Sequence, residues 1–422
     1  MTLYRTIAAD RPAVFTKDLA LSLLYLGGDF SQLGYHDKAL DASSEAVKLY
    51  RTLAACRPAV FTNDLASALL RNGVHFSKLG HHEKALDAGS EAVKLYRTLA
   101  ADRPAVFTEG LALSLLALGL DFSQIGRHKE ALDAHSEGEK LYRTLVADHP
   151  EVFTKDLASS LLILGIDFSQ LGRHDEALDA RSEGVELYRT LVADRPAVFT
   201  KDLASSLVNL GVDYSQLGRH DEALDARSEA VKLYRTLAAD RPAVFTMNLA
   251  SSLRNLGVDC SQLGRHEEAL NARSLAVKLY QTLAADRPAV FTQDLASLLL
   301  DLGADFFELN RHDDGLDACS EAVKLYRTLV EGLPAVFTED LALSLLYLGE
   351  NLFELGRHEE SLDAHREAVK LYRTLAADDP TIFTEDLASS LQHVGQVFAM
   401  LGCQDDARTA FSEADTFLHG IV

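Results

Sequence analysis

Apolar residues recur along this chain with the three- and four-residue spacing of an amphipathic helix. In residues 11–56 they form two runs separated by a short turn around Gly34. The first run comprises Phe15, Leu19, Leu23, Leu26, Phe30 and Leu33, and the second comprises Ala39, Ala42, Ala46, Tyr50 and Leu53. This spacing predicts helix A over about residues 17–33, with Thr16 as its N-cap and Gly34 at its C-terminal end. Helix B follows the turn and stops before Pro58, because a proline ring cannot continue a helix.

The same unit is repeated, because all nine prolines fall at one constant spacing. Pro12 and Pro58 stand 46 residues apart, and the spacing continues to Pro380. A single unit cannot bury its own apolar face, so successive units must stack on one another. The sequence therefore predicts an all-α fold, a right-handed α-solenoid of nine helix-turn-helix repeats in one domain over residues 1–422. The repeats begin near residues 13, 59, 105, 151, 197, 243, 289, 335 and 381.

The two ends of the array differ from its middle. Residues 1–12 have the pattern of a partial helix B without its helix A, so we expect an upstream segment or an open N-terminal end. Residues 404–422 predict a last helix B, in which Arg408 and Asp415 replace apolar residues of the earlier copies. A polar outer face of this kind is typical of a capping repeat.

Composition narrows the class of partner. A net charge of −22 and an isoelectric point near 5.1 disfavour a nucleic-acid surface, which needs clustered basic residues. The four cysteines form no CxxC pair, and they are expected to be free thiols in a reducing compartment. Apolar stretches such as residues 111–120 fall short of the roughly 20 residues that span a membrane. We therefore expect a cytoplasmic protein that binds neither nucleic acid nor membrane.

Small residues recur where two helices must approach closely. We call the set of positions related by multiples of 46 residues a column, named after its first member. Gly or Ala fills the columns of Gly27, Ala39 and Ala46 with the single exception of Ser361. This pattern resembles the tetratricopeptide repeat over almost the whole chain. Because helix B is longer than in the 34-residue form, the units are most similar to elongated repeats of kinesin light chains and of fungal and bacterial signalling proteins that also carry NTPase or protease-like domains.

Two further columns, those of Asp29 and Ser43, change together along the chain. Acids at Asp167, Asp213 and Asp259 coincide with arginines in the same repeats, at Arg181, Arg227 and Arg273. In the last repeat both columns become apolar. We predict charge-assisted contacts between these acids and arginines, either within a repeat or between adjacent repeats.

No residue pattern indicates catalysis or a cofactor. No serine stands in a GxSxG motif, and no P-loop or dinucleotide-binding glycine pattern is present. Histidines of the His36 column occur once per repeat, about 10 Å apart, whereas zinc needs nitrogen ligands at about 2.1 Å. We expect solvated turn histidines, no metal site and no enzyme.

The resemblance implies that helices A line a concave groove and that the columns of Leu24 and Gly28 face the ligand. These columns are apolar in repeats two to five. The expected partner-binding residues are Leu70, Val74, Leu116, Leu120, Leu162, Ile166, Val208 and Val212. Towards the C-terminus the Gly28 column becomes polar, at Glu350 and Gln396.

Two functions remain after the enzyme is set aside. One is a protein–protein interaction scaffold that binds a neutral or basic peptide or helix in this groove. The other is the ligand-sensing repeat region of a larger NTPase- or protease-like signalling receptor. Self-association through the open N-terminal end would also cover the apolar groove.

Overall fold

The computed structural model describes residues 12–419, which form eighteen α-helices and no strand. The chain divides into two compact units, Met1–Leu217 and Gly218–Val422, and each is described by itself. The partial helix B expected over residues 1–12, with its apolar residues Leu3, Tyr4 and Ile7, lies outside the described residues. The expectation of a single domain stays a prediction.

Unit 1 contains nine helices and unit 2 another nine. Unit 1 holds α1 (Pro12–Gln32), α2 (His36–Cys56), α3 (Pro58–Lys78), α4 (His82–Asp102), α5 (Pro104–Gln124), α6 (His128–Asp148), α7 (Pro150–Gln170), α8 (His174–Asp194) and α9 (Pro196–Gln216). Unit 2 holds α10 (His220–Asp240), α11 (Pro242–Gln262), α12 (His266–Asp286), α13 (Pro288–Glu308), α14 (His312–Gly332), α15 (Pro334–Glu354), α16 (His358–Asp378), α17 (Pro380–Met400) and α18 (Gln404–His419). Odd-numbered helices are helices A and even-numbered helices are helices B.

Within each unit every helix packs on the next one along the chain, and neighbouring helices A also touch, as α3 and α5 do in unit 1. This regular order confirms an all-α helical repeat solenoid of about nine repeats. Its predicted right-handedness stays a prediction.

Helix A begins about five residues earlier than predicted, at its proline. Proline lacks the N–H that the first helical turn leaves unpaired, and its fixed φ already suits a helix. The preceding residue cannot be helical, and Arg103 accordingly has φ −138° and ψ 76°. The expected N-cap role of the Thr16 column was wrong. These threonines lie inside the first turn, where the hydroxyl of Thr62 donates to the carbonyl oxygen of Pro58 at 2.7 Å.

The A-to-B turn was predicted correctly. Gly34 has φ +80°, in the left-handed region that glycine adopts without steric penalty, and the same geometry recurs in later repeats. In repeat seven the position is taken by Asn310 at φ +56°, and asparagine is among the side chains that tolerate this region best.

The hydrophobic core is built between repeats. Phe107 at the start of α5 is buried in one cluster with Val93 and Tyr96 of α4, in the preceding repeat. Phe153 of α7 is likewise buried in one cluster with Tyr142 of α6, so this phenylalanine ties a helix A to the helix B before it. Burial of one such side chain contributes about 1.5–3 kcal/mol.

Among the described helices, α5 alone is long and apolar enough to cross a membrane, judged by length and composition only. Its residues Leu111, Leu115 and Leu118 are buried in the cluster that also contains Tyr96 of α4 and Ala134 of α6. Its apolar composition is therefore explained by packing against both neighbours.

Candidate functional site

The predicted acids and arginines form a buried ladder between repeats. In unit 1 the guanidinium of Arg181 on α8 is paired with the carboxylate of Asp213 on α9, the helix A of the following repeat. In unit 2 two further pairs follow the same geometry, Arg227 with Asp259 and Arg273 with Asp305, the last at 2.5 Å. The side chains are at most 8% exposed. The predicted contacts are confirmed for Asp213 and Asp259, each with an arginine of the preceding repeat, whereas the prediction of an arginine partner for Asp167 was wrong.

A histidine takes the place of arginine in the preceding repeat. Nδ1 of His135 lies 2.5 Å from Oδ2 of Asp167, and its Nε2 lies 3.0 Å from the carbonyl oxygen of Leu116. A carbonyl oxygen only accepts hydrogen bonds, so Nε2 carries a proton. The hydrogen bond to Asp167 then requires a second proton, shared between Nδ1 and the carboxylate. Both side chains are buried, which makes this contact a fixed element of the repeat interface.

Toward the ends the ladder becomes neutral. Between repeats one and two, the side-chain amide of Asn72 donates to the hydroxyls of Ser43 and Ser44 at 2.9 Å. Between repeats seven and eight, Asn351 stands opposite Cys319, with the amide nitrogen 3.9 Å from the sulfur. The polarity of these contacts between adjacent repeats therefore varies along the array.

In the middle repeats, glycine in the Gly27 column leaves room for the ladder side chain, whereas at Gly27 and Gly73 the nearest atoms are backbone carbonyl oxygens of helix B. A methyl group added at Gly165 would overlap the side chain of Arg181 in the same repeat, and one added at Gly257 would lie 2.7 Å from Cγ of Arg273. Glycine thus gives the long ladder side chain its path to the next repeat.

Burial opposes ionisation of two acids of this column, Asp213 and Asp121. It raises the pKa of Asp213, while the hydrogen bond from Arg181 acts in the opposite direction. Asp121 stands opposite Gly89 and therefore has no arginine; burial raises its pKa too, and a hydrogen bond from Ser77 offsets only part of that effect. These acids are buried where adjacent repeats contact each other.

The eight predicted groove residues fall into two sets. Val74, Leu120, Ile166 and Val212 are between 36% and 48% exposed, one on each of α3, α5, α7 and α9. We call these four the A-helix row. Their companions one turn earlier are half-buried: Leu70, Leu116, Leu162 and Val208. Leu70 and Leu116 pack against core clusters.

Uncharged groups surround most of the A-helix row. The exposed positions four residues further along are Lys78, Gln124, Gln170 and Gln216. The serines beside the row turn inward, since the hydroxyl of Ser123 donates to Asp167 at 3.2 Å. The face is thus apolar with an amide edge, and its one charge at these positions is basic.

A second exposed apolar row was missed by the sequence analysis. Val60, Val106, Val152 and Val198 lie in the first turn of their helices and are between 50% and 61% exposed. The signal was present, since a β-branched residue follows each proline by two positions in every repeat. It was hidden because helix A was predicted to begin only at about residue 17, after this segment.

The histidines of the His36 column were expected to be solvated, but the structure shows that they are not fully so. Each is half-buried at the first position of its helix B, with Nδ1 buried and without a hydrogen-bond partner. In residues 12–419 no set of three His, Cys, Asp or Glu side chains is arranged to hold a metal ion.

Models of known protein families match several of these repeats. Tetratricopeptide repeat models match residues 202–282 and 341–380. Residues 11–54 and 60–103 match the model of anaphase-promoting complex subunit 5. No curated protein sequence matches the chain significantly.

Solved structures with similar architecture come from distant proteins. BtubC (BKLC) from P. vanneervenii is 20% identical, with a TM-score of 0.49, covering 59% of this chain and 92% of that one. The quorum sensor NprR from B. thuringiensis is 14% identical, with a TM-score of 0.47, covering 98% and 99%. A STAND signal transduction ATPase with a tetratricopeptide repeat sensor, from Pyrococcus horikoshii, is 12% identical, with a TM-score of 0.52, covering 90% of this chain and 53% of that protein.

The similarity to the Pyrococcus horikoshii protein supports only the assignment of the fold. The family models, the glycine and alanine columns and the regular helix pairs agree with one another. The resemblance to kinesin light chains stays a prediction. This chain belongs to the tetratricopeptide repeat family.

Proposed function

We propose that this protein is a non-enzymatic cytoplasmic scaffold that binds a peptide or helix of a partner protein along the A-helix row. The observation that carries the proposal is the row itself: Val74, Leu120, Ile166 and Val212, one exposed apolar side chain on each of four successive helices A. Contiguous exposed apolar surface on a folded protein usually marks an interaction site.

The spacing of the row suits a peptide ligand. Packed helices lie about 8–10 Å apart. Residues seven apart on an α-helix are separated by about 10.5 Å, and residues three apart on an extended polyproline II segment by about 9 Å, and in both cases they lie on one face. A partner with apolar residues at either spacing would place one side chain against each helix A.

Electrostatics favour a neutral or basic partner. The whole chain carries a net charge of −22, so acidic segments are repelled at long range. At the row itself the amides of Gln124, Gln170 and Gln216 offer hydrogen bonds to a partner backbone without adding charge. Specificity would then come from apolar spacing and from amide contacts.

The test uses a displayed library of random 16-residue peptides, selected for binding to the wild-type chain. The perturbing variant combines Leu120→Glu with Ile166→Glu, both exposed, so that the core is left intact. The control variant combines Val106→Glu with Val152→Glu, which adds the same charge to the same two helices outside the row.

We expect selected peptides to lose at least tenfold in affinity for the Leu120/Ile166 variant and to retain it for the Val106/Val152 variant. Circular dichroism should give the same helical content for all three proteins. Equal binding to both variants would refute the A-helix row, and loss only in the control would move the site to the valine row.

A sensor role is the second candidate. The Pyrococcus horikoshii protein of similar fold is described as a STAND ATPase with a tetratricopeptide repeat sensor. We propose this role as the alternative, in which the same face would bind a signal and an NTPase- or protease-like domain would act on it. A gene segment encoding such a domain in the same reading frame would favour the sensor. Concentration-dependent dimerisation, lost in the Leu120/Ile166 variant, would instead indicate self-association.

A further inference from the structure

A small cavity of about 180 Å³ lies in unit 2, away from the A-helix row. It offers room for roughly six water molecules at about 30 Å³ each, which is less than a drug-sized ligand needs. Its size suits a side-chain end or a small amine. The lining residues that matter are Phe307 of α13, Glu350, Phe353 and Glu354 of α15, His365 of α16 and His393 of α17.

His365 lines this cavity as a ladder residue that lacks its acid. In the same column, Nδ1 of His135 lies 2.5 Å from Asp167. The corresponding position opposite His365 is Val397, and Nδ1 of His365 has no hydrogen-bond partner among the described residues. His365 is only 1% exposed. A buried polar group without a partner is costly and calls for an explanation.

Glu350 is an acid in a column that is apolar in the A-helix row. Its Oε1 lies 3.3 Å from Nε2 of His393, and the two side chains are 24% and 27% exposed. The ring of His393 stacks on that of His365, with centroids 5.2 Å apart and planes inclined by 8°. Three ionisable side chains from three helices therefore meet at one cavity.

The charge of the cavity favours a cation. Burial lowers the pKa of His365 to about 3 and also lowers the pKa of His393, so both imidazoles are neutral at physiological pH. The lining contains two acids, Glu350 and Glu354, and no lysine or arginine. Phe307 and Phe353 also line the cavity, and the face of an aromatic ring attracts cations electrostatically.

The geometry disfavours a metal ion as that cation. A metal binds in the plane of an imidazole, and two stacked, nearly parallel rings cannot direct their nitrogens at one ion. Residues 12–419 contain no set of three potential ligands in suitable positions. An ammonium group needs only a carboxylate, hydrogen-bond acceptors and an apolar wall for its stem.

We infer that this cavity binds the ammonium group of an alkyl amine, either a free diamine or a lysine side chain, with Glu350 as its ion-pair partner. The neutral imidazole of His393 accepts a second hydrogen bond, and the phenylalanine rings enclose the alkyl stem. The inference is independent of the proposed partner-binding row, which lies in other repeats.

Ligand binding should be coupled to a proton on Glu350. Burial raises the pKa of Glu350 to about 7, so much of the empty site is protonated at neutral pH. A bound ammonium favours the carboxylate and displaces that proton, so affinity should rise by up to tenfold per pH unit below about pH 7.

Several other titratable groups lie on the helices around Glu350. From the surrounding helices these are Asp301 and Glu308 of α13, Cys319 of α14, Tyr347 and Glu354 of α15, His365 of α16 and His393 of α17. Burial raises the pKa of Cys319 to about 12 and also raises that of Tyr347, so both stay neutral in this range.

The experiment titrates the full chain, labelled at histidine Cε1, with 1,4-diaminobutane in one arm and with N-acetyl-lysine methylamide in the other. We expect saturable shifts of the His365 and His393 resonances in NMR spectra, while His135 serves as an internal control and does not shift. Saturation by one probe alone would identify the source of the amine. Calorimetry in buffers of different ionisation enthalpy should detect proton release at pH 6.5.

Glu350→Gln should weaken binding at least tenfold and abolish proton release. Glu331→Gln, the same change at an exposed acid of α14 outside the cavity lining, should leave both unchanged. The inference is overturned if neither amine gives a saturable shift, if Glu350→Gln binds as well as wild type, or if only Zn²⁺ shifts the two histidines.

Discussion

The buried ladder gives the sharpest test of how the repeats are held together. We consider Asp213→Ala, which removes the acid opposite Arg181. In the folded chain the two side chains are 1% and 8% exposed, and Gly165 confines the stem of Arg181 from the other side. The guanidinium would thus stay buried without a counter-charge. Breaking a buried ion pair in this way costs about 3–5 kcal/mol.

An exposed ladder in the same unit supplies the matched control. Arg97 on α4 and Glu137 on α6 are 2.5 Å apart, but their side chains are 54% and 41% exposed. Water solvates either partner when the other is removed. Glu137→Ala should therefore cost only about 0–1 kcal/mol. The two substitutions remove one acid each from equivalent inter-repeat pairs, so burial is the main difference between them.

A double variant separates the missing charge from lost packing. Arg181→Met combined with Asp213→Leu removes both charges and keeps apolar volume, and buried pairs replaced in this way are often no less stable. We expect it to recover most of the stability that Asp213→Ala loses.

Urea unfolding monitored by circular dichroism gives the overall loss. Hydrogen exchange should place the loss in α8 and α9, because solenoids can unfold locally. The reasoning fails if Asp213→Ala costs no more than Glu137→Ala, or if the double variant is as unstable as the single one.

Two further predictions concern glycine and pH. Gly165→Ala should destabilise the chain by about 1–3 kcal/mol, because the new methyl overlaps Arg181. Gly28→Ala should stabilise it by about 0.5–1 kcal/mol, because its methyl meets nothing within 4 Å. Equal melting temperatures for the two variants would contradict this prediction. Burial raises the pKa of Glu350 from 4.5 to about 7, so the folded chain keeps a proton that the unfolded chain has lost, and stability should fall as pH rises through this window by at most about 3 kcal/mol. Glu350→Gln should flatten that part of the urea-midpoint profile, and an unchanged slope would refute the assignment.

The sequence by itself determined the elements that depend on local backbone chemistry. The positive φ of Gly34 and the break before Pro58 follow from steric limits within a few residues of each position. Helical periodicity follows from which side chains must be buried. Helix B was therefore placed correctly. The start of helix A was misplaced because Ala13, Val14 and Phe15 are consecutive apolar residues that show no helical period, and Thr16 resembled an N-cap.

The candidate surface was only half determined by sequence. Leu116 and Leu120 belong to columns that both look apolar, yet Leu116 packs against the core and Leu120 is 48% exposed. The difference lies in the position of the neighbouring helix, which hydrophobicity alone does not encode. The exposed valine row was missed for a different reason, because its segment was predicted to lie before helix A.

Only the tertiary structure decided which residues are partners. The sequence shows that acids and arginines change together, but a 46-residue period makes the acid of one repeat indistinguishable from that of the next. Packing resolves the ambiguity: Arg181 passes over Gly165 of its own repeat and meets Asp213 of the following one, while Asp167 is paired with His135. The physical reason is that pairing depends on the rotation and spacing between stacked repeats, and no local property of a single repeat specifies these.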